Sequence, residues 1–202
     1  MEIRPLALDG VFEIIPRRFG DRRGFFSETY NAEAFRKVPG GSEAFVQDNH
    51  SLSGVTGTLR GLHFQLPPRA QAKLVRVVRG AIYDVVVDIR RGSPTFGRWV
   101  GLDVSAEKWN QIFVPKGFAH GFLTLEPDTE VIYKVTDFYS AEHERSVRFD
   151  DPAIGVTWPA VASSYIVSDK DRDAPFLAGT NTGFAYGGRP GSESSDASPA
   201  KR

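Results

Sequence analysis

The chain contains no cysteine, which excludes disulfides and every thiolate-based metal or redox centre. It also lacks a surplus of charge of either sign. Its 25 lysines and arginines balance 25 aspartates and glutamates, so no global field draws it to nucleic acid or a membrane surface, though a local basic cluster is compatible with that balance. Long apolar runs are missing as well. The stretch from Met1 to Pro16, MEIRPLALDGVFEIIP, is broken by charges and prolines and holds neither a signal-peptide core nor a spanning segment, so the expected location is cytoplasmic. What is present is a 202-residue chain that is 41% hydrophobic, enough for one globular domain with a sizeable core. Fifteen phenylalanines, six tyrosines and three tryptophans suit sheet faces, across which flat side chains pack.

The pattern along the chain is one of short strands separated by turn signals. VFEII, FVQDNHSLS, TLRGLHFQ, KLVRVVRG, AIYDVVVDIR, RWVGLDVS, QIFVPKG, GFLTLEP and TEVIYKVTDFY follow one another with short breaks, and AEAFRKV (Ala32 to Val38) is the one helix expected. FGDRRG, punctuated by Gly20 and Gly24, reads as a charged loop, and KLVRVV with AIYDVVVDI reads as a hairpin hinged at Arg79 and Gly80. In AIYDVVVDI, Asp84 and Asp88 share one face, opposite Tyr83, Val85 and Val87. Strands without alternating helices imply an all-β sandwich or barrel. From about Gly179 the sequence turns to Gly, Ser and Pro with few apolar residues, so the expected division is a domain over 1–178 and a disordered tail over 179–202.

VPKGFAHGF, Val114 to Phe122, contains P-x-G-x-x-H as Pro115, Gly117 and His120, and resembles the second half-motif of the cupins, a double-stranded β-helix or jelly roll. A metal-binding cupin would carry H-x-H and a glutamate in its first half-motif. Here that place reads His63-Phe64-Gln65, followed by a stretch without carboxylates, which favours a metal-free site over a cupin oxygenase. RGLHFQ, AQAKLVRVVRGAIYDVVVDIR, GSPTFGRW, VPKGFAHGF, VIYKVTDFY and DPAIGVTWP, with DRRGFFSETYN before them and SDKD at Ser168 to Asp171 after, together resemble the dTDP-4-dehydrorhamnose 3,5-epimerases from about Ile3 to Pro175. That resemblance implies a jelly-roll homodimer that converts dTDP-4-dehydro-6-deoxy-D-glucose to dTDP-4-dehydro-L-rhamnose without cofactor or metal.

Inverting a sugar carbon beside a ketone requires a base, a group that stabilises the enolate, and an acid on the opposite face. By the resemblance, His63 is the base, Asp171 its carboxylate partner, Lys73 the enolate-stabilising cation and Tyr133 the acid. From the residues alone Asp169 competes with Asp171, and each of these side chains has an ordinary structural reading: a core histidine, a solvated turn, a snorkelling lysine, a packed tyrosine. Arg60 and His63 have opposite parity in a regular strand although both are expected at the ligand, so Gly61 signals a bulge, or else the ligand spans the rim. The resemblance further assigns substrate contacts to Arg23, Glu28, Gln47, Asp48, Asn49, Arg60, His120, Glu144 and Lys170, with arginine forks and lysines suited to a diphosphate and Phe26 or Tyr139 to a thymine face. In that family the N-terminus crosses to the partner subunit, so the site is expected to be shared. The competing functions are a single-site epimerase or ketoisomerase on the same fold, and a non-catalytic cupin that binds a sugar or nucleotide.

Overall fold

Strands this short bury their apolar faces only by stacking, and in the computed structural model, which describes residues 1–187, they form two large sheets that face each other. The first runs, in spatial order, β1 (Glu2–Pro5), β2 (Phe12–Ile15), β10 (Gln111–Val114), β7 (Lys73–Arg79), β12 (Thr129–Val135) and β5 (Gln47–Ser53). The second runs β13 (Glu144–Ser146), β6 (Thr58–Gln65), β11 (Phe118–Thr124), β8 (Ala81–Asp88) and β9 (Trp99–Ser105), with the two-residue β14 (Ile166–Val167) parallel to β6. Val75, Ile112 and Val131 of the first sheet meet Ile82, Val86, Val104 and Phe122 of the second in the central core. This is the two-sheet architecture that the strand pattern implied and the jelly roll that the resemblance implied.

Both outer faces are covered too. Phe35 and Val38, three residues apart, pack with Phe12, Leu74 and Phe113 on the outside of the first sheet. They belong to a helical stretch shorter than expected. The α-helix α1 covers only Ala32–Phe35, capped by Asn31, whose side chain accepts from the amides of Glu33 and Ala34, and the chain continues to Val38 as turns. The second sheet is covered by residues after β13, including Ile154, Trp158 and Leu177. As a result β8 is buried on both faces, and Asp84 and Asp88 point into the protein.

Three expectations are corrected. FGDRRG is a hairpin, β3 (Arg18–Asp21) with β4 (Gly24–Ser27), and it pairs with neither large sheet. KLVRVV and AIYDVVVDI do not pair with each other. Each finds its partners in a different sheet, β7 with β10 and β12, β8 with β11 and β9. The link between them is Gly80, at φ +76°, where a Cβ would lie 2.3 Å from Oγ1 of Thr129. Glycine here turns the chain from one sheet to the other. Third, the tail does not begin at Gly179. Residues 179–187 are anchored at several points: Thr180 and Thr182 are buried, Phe184 joins the outer core, and Arg91 and Tyr186 donate backbone bonds to Phe184 and Arg91 at 2.9 Å. One aromatic anchor and a few paired amides outweigh the polar average of the segment. The rest of the expected tail, 188–202, lies outside the described residues. Among the described residues no helix is long and apolar enough to cross a membrane.

One close approach sets the geometry of the open end. A Cβ on Gly121 of β11 would lie 2.7 Å from the carbonyl oxygen of Arg60 and 3.0 Å from Cα of Gly61 on β6, both backbone atoms. Gly121→Ala is therefore expected to destabilise the protein by roughly 1–3 kcal/mol through overpacking, measured by urea unfolding. An unchanged midpoint would show that the two strands can part.

Candidate active site

The pairing of β6 with β11 contains the irregularity that builds the site. His63 lies opposite His120 and Arg60 opposite Phe122, so three steps along β6 match two along β11. The extra residue is a bulge at Gly61 and Leu62, with Gly61 at φ +134°. It resolves the parity problem: Arg60 and His63 both line one cavity of about 530 Å³. His120, Lys73, Tyr133, Glu144, Lys170 and Asp171 line it as well. The first sheet supplies the opposing wall. Lys73 pairs with Val135 and Val75 with Tyr133, which sets Lys73 and Tyr133 on the same inner face as diagonal neighbours.

Asp171 belongs to a four-residue helix, α2 (Asp169–Arg172), whose N-cap Ser168 accepts from the Asp171 amide at 3.2 Å. The helix turns Asp171 inward, where one carboxylate oxygen meets Nε2 of His63 at 2.5 Å and the other accepts from the Gly61 amide at 3.2 Å. Asp169 is 88% exposed and pairs with Arg172, so the choice between the two aspartates falls to Asp171. Burial pushes the Asp171 carboxyl up, but the bond to His63, with the Gly61 amide and Ser168, holds it below the ordinary value. An anion fixed on one ring nitrogen orients the imidazole and supports the imidazolium. Nδ1, the other ring nitrogen, is the one left to act.

Lys73 donates to the carbonyl oxygen of His63 at 3.3 Å. Burial lowers its pKa to about 8, against the pull of Asp84 and Glu144. Burial raises that of Tyr133, with Glu144 adding to the effect and Arg60 opposing it, so the phenol stays protonated at neutral pH. His120 donates from Nε2 to the Asp84 carboxylate at 2.9 Å in the protein interior, and burial lowers its pKa. At the cavity rim, Lys170 meets Glu144 at 2.5 Å and the Tyr139 hydroxyl donates to the same carboxylate at 3.0 Å. Tyr139 in turn donates its amide to Gln47, which donates to Asn49.

Not every expected residue is brought in. Asp48 faces the other side of β5 and pairs with Lys134 at 2.8 Å. Arg23 bonds Asp21 at the tip of the β3–β4 hairpin, Phe26 is 70% exposed there, and neither they nor Glu28 line the cavity of this chain; Gln47, Asn49 and Tyr139 do not line it either and join it only through the Tyr139–Glu144 bond. Two residues at the site went unassigned in the sequence. Ser168 was signalled by the S-x-x-D spacing of a helix start; Asp84 was signalled only by an acid in a strand too apolar to be exposed. Among the described residues no three His, Asp or Glu side chains cluster as a metal-holding group.

The family model described as dTDP-4-dehydrorhamnose 3,5-epimerase matches residues 5–179. A dTDP-4-dehydrorhamnose 3,5-epimerase of Sinorhizobium fredii is 52% identical over 186 residues, 92% of this chain and 94% of that protein. Among solved structures, the dTDP-6-deoxy-D-glucose-3,5-epimerase of Legionella pneumophila, in complex with dTDP-4-keto-L-rhamnose, superposes with a TM-score of 0.87 at 42% identity, covering 92% of this chain and 98% of that one. A 3'-monoepimerase from Streptomyces bikiniensis in complex with dTDP-quinovose gives 0.80 at 37% identity, covering 87% of each.

The Asp171 contact yields a direct expectation. Asp171→Asn keeps the shape and loses the charge behind the imidazole, so turnover should fall by roughly 10²-fold or more, and the thermal melt at neutral pH should fall too, because the fold favours the charged carboxylate. Wild-type turnover in this variant would reduce Asp171 to a structural bond.

Proposed function

The chain belongs to the dTDP-4-dehydrorhamnose 3,5-epimerase family, and we propose that His63, Lys73 and Tyr133 carry the chemistry of its reaction. The activity is inversion of carbons 3 and 5 of dTDP-4-dehydro-6-deoxy-D-glucose to give dTDP-4-dehydro-L-rhamnose. Both carbons adjoin the same 4-carbonyl. One cation at that oxygen therefore serves both inversions, since either deprotonation delivers its charge there. Lys73 is that cation, His63 removes each proton, and Tyr133 returns one from the other side. The observation that carries this reading is the placement of His63 and Tyr133 on opposite sheets, with Lys73 reaching between them. The steps move protons only and call on no cofactor or metal.

Arg60, His120, Glu144 and Lys170 hold the nucleotide sugar in this reading, with Tyr139, Gln47 and Asn49 beyond the lining, linked to it through Glu144. Arg23, Phe26 and Glu28 reach it from a second copy of the chain. The hairpin that carries them exposes Phe19, Phe25 and Phe26, a group of aromatic faces that a lone subunit leaves in water. Exchange of the N-terminal strands in a homodimer would set Phe26 against the base and Arg23 near the phosphates. A cytoplasmic location accords with a nucleotide-sugar substrate.

Two measurements test the proposal. Proton NMR of the product should show both carbons inverted in the wild type, whereas inversion at one carbon would make this a single-site epimerase. In the free enzyme, kcat/KM should fall as pH rises through about 8, where Lys73 loses its charge. Lys73→Met should lower kcat by about 10²–10³, weaken substrate binding less, and remove that descending limb. A Lys73→Met enzyme with normal kcat and poor binding would make Lys73 a binding residue only.

The shared site is tested by mixing. His63→Asn and the double variant Arg23→Ala/Phe26→Ala are each expected to be impaired as homodimers. Unfolded and refolded together, they should regain about a quarter of native sites, because half the dimers are mixed and each has one intact site. No recovery, from dimers shown to have exchanged, would place the whole site in one chain.

A further inference from the structure

Behind His120, on the side away from the cavity, lies a carboxylate that the steps above do not use. Asp84 is fully buried. Its Oδ2 bonds Nε2 of His120 at 2.9 Å, while its Oδ1 has no hydrogen-bond partner. A buried carboxylate oxygen left unpaired is costly unless a charge nearby offsets it. His120 offers little positive charge, because burial favours its neutral form.

The cation across the core is Lys73: Asp84 shares the inner face of β8 with Ile82 and Val86, and Lys73 shares the inner face of β7 with Val75, which packs in the same cluster. The groups that face Lys73 are His63 from β6, His120 from β11, Tyr133 from β12, Glu144 from β13 and Asp84 from β8, with Arg60 and Lys170 elsewhere in the cavity. Two of these are acids. Glu144 is already occupied by the Lys170 ammonium and the Tyr139 hydroxyl. Both contacts fall on its Oε2, and the side chain is partly open to solvent, whereas the unpartnered Oδ1 of Asp84 is buried. Burial works against both partners, raising the Asp84 pKa and lowering that of Lys73, and each charge offsets part of the other's loss.

We propose that Asp84 is a positioning residue whose fixed negative charge, buried behind His120, keeps the Lys73 ammonium protonated beside the reacting carbonyl. This rests on the enolate-stabilising role of Lys73, and the experiment separates the two. Full-length protein labelled with 13Cε-lysine is titrated by NMR, with Lys73→Met identifying the resonance, and the pH profile of kcat/KM is recorded in parallel. Asp84→Asn should move the Lys73 midpoint down by about one pH unit or more, as expected on losing an opposite charge buried nearby, and the descending limb should move with it. Asp84→Glu should restore both. An unmoved Lys73 midpoint in Asp84→Asn overturns the inference. A midpoint that moves while the activity limb stays supports the coupling and counts against the role of Lys73 in the reaction. Should Asp84→Asn be too unstable to titrate, Asp84→Asn/Lys73→Met should recover stability, since no charge is then buried alone. A double variant as unstable as the single one overturns the coupling.

Discussion

The carboxylate of Asp171 joins two things that strand geometry alone would keep apart: the imidazole of His63 and the amide of the bulged Gly61. The bulge frees that amide from regular pairing, and a freed buried amide needs an acceptor. Asp171 supplies it and, with its other oxygen, fixes the imidazole. The turn that bulges β6 is thus held by the same side chain that prepares the histidine to accept a proton. Much of the open end follows from this contact, including the inward turn of α2 and the presence of Lys170, its neighbour in sequence, at the rim.

The opposite wall has a different origin. Gly80 turns the chain between sheets, so β7 and β8 sit across the core from each other and not side by side. Lys73 starts β7 on one wall, and Asp84 lies within β8 on the other. A simple hairpin would have set these strands edge to edge in one sheet. The two-sheet arrangement gives the cavity walls of different chemistry, histidines on one and a lysine with a tyrosine on the other. In the proposed reading, a planar enolate between them has two faces, each with its own proton carrier. Inversion needs that division of labour, and the epimerase family to which the chain belongs performs inversion.

Much of this was legible in the residues. Strand after strand, with turn residues at short intervals, announced a β-sandwich or barrel, and the resemblance carried by RGLHFQ, VPKGFAHGF, VIYKV and SDKD narrowed it to a jelly roll and pointed to the site. Sheet membership was not legible, because local alternation looks the same whether successive strands pair or separate, and Gly80 suits the turn of a hairpin equally well. The hairpin at Arg18–Ser27 was hidden by its charges, and the packing of residues 179–187 by a composition dominated by Gly and Thr with one decisive aromatic, Phe184. The choice between Asp169 and Asp171 turned on which face of a single helical turn points inward, and a four-residue turn has no periodicity to reveal it. Asp84 was visible as a residue but not as a counter-charge, since that depends on contacts across the core.

The central claim is that His63 takes a proton from the sugar and Tyr133 returns one from the other face. Following the dehydro-sugar in heavy water by NMR tests it most directly, because deuterium wash-in reports proton removal and the product's configuration reports inversion. His63→Asn should lose both by at least about 10²-fold. Tyr133→Phe should keep a larger share of exchange than of inversion, with deuterium returned from the face it left. Normal exchange in His63→Asn, with loss of exchange in Tyr133→Phe, would contradict the account and make the tyrosine the base.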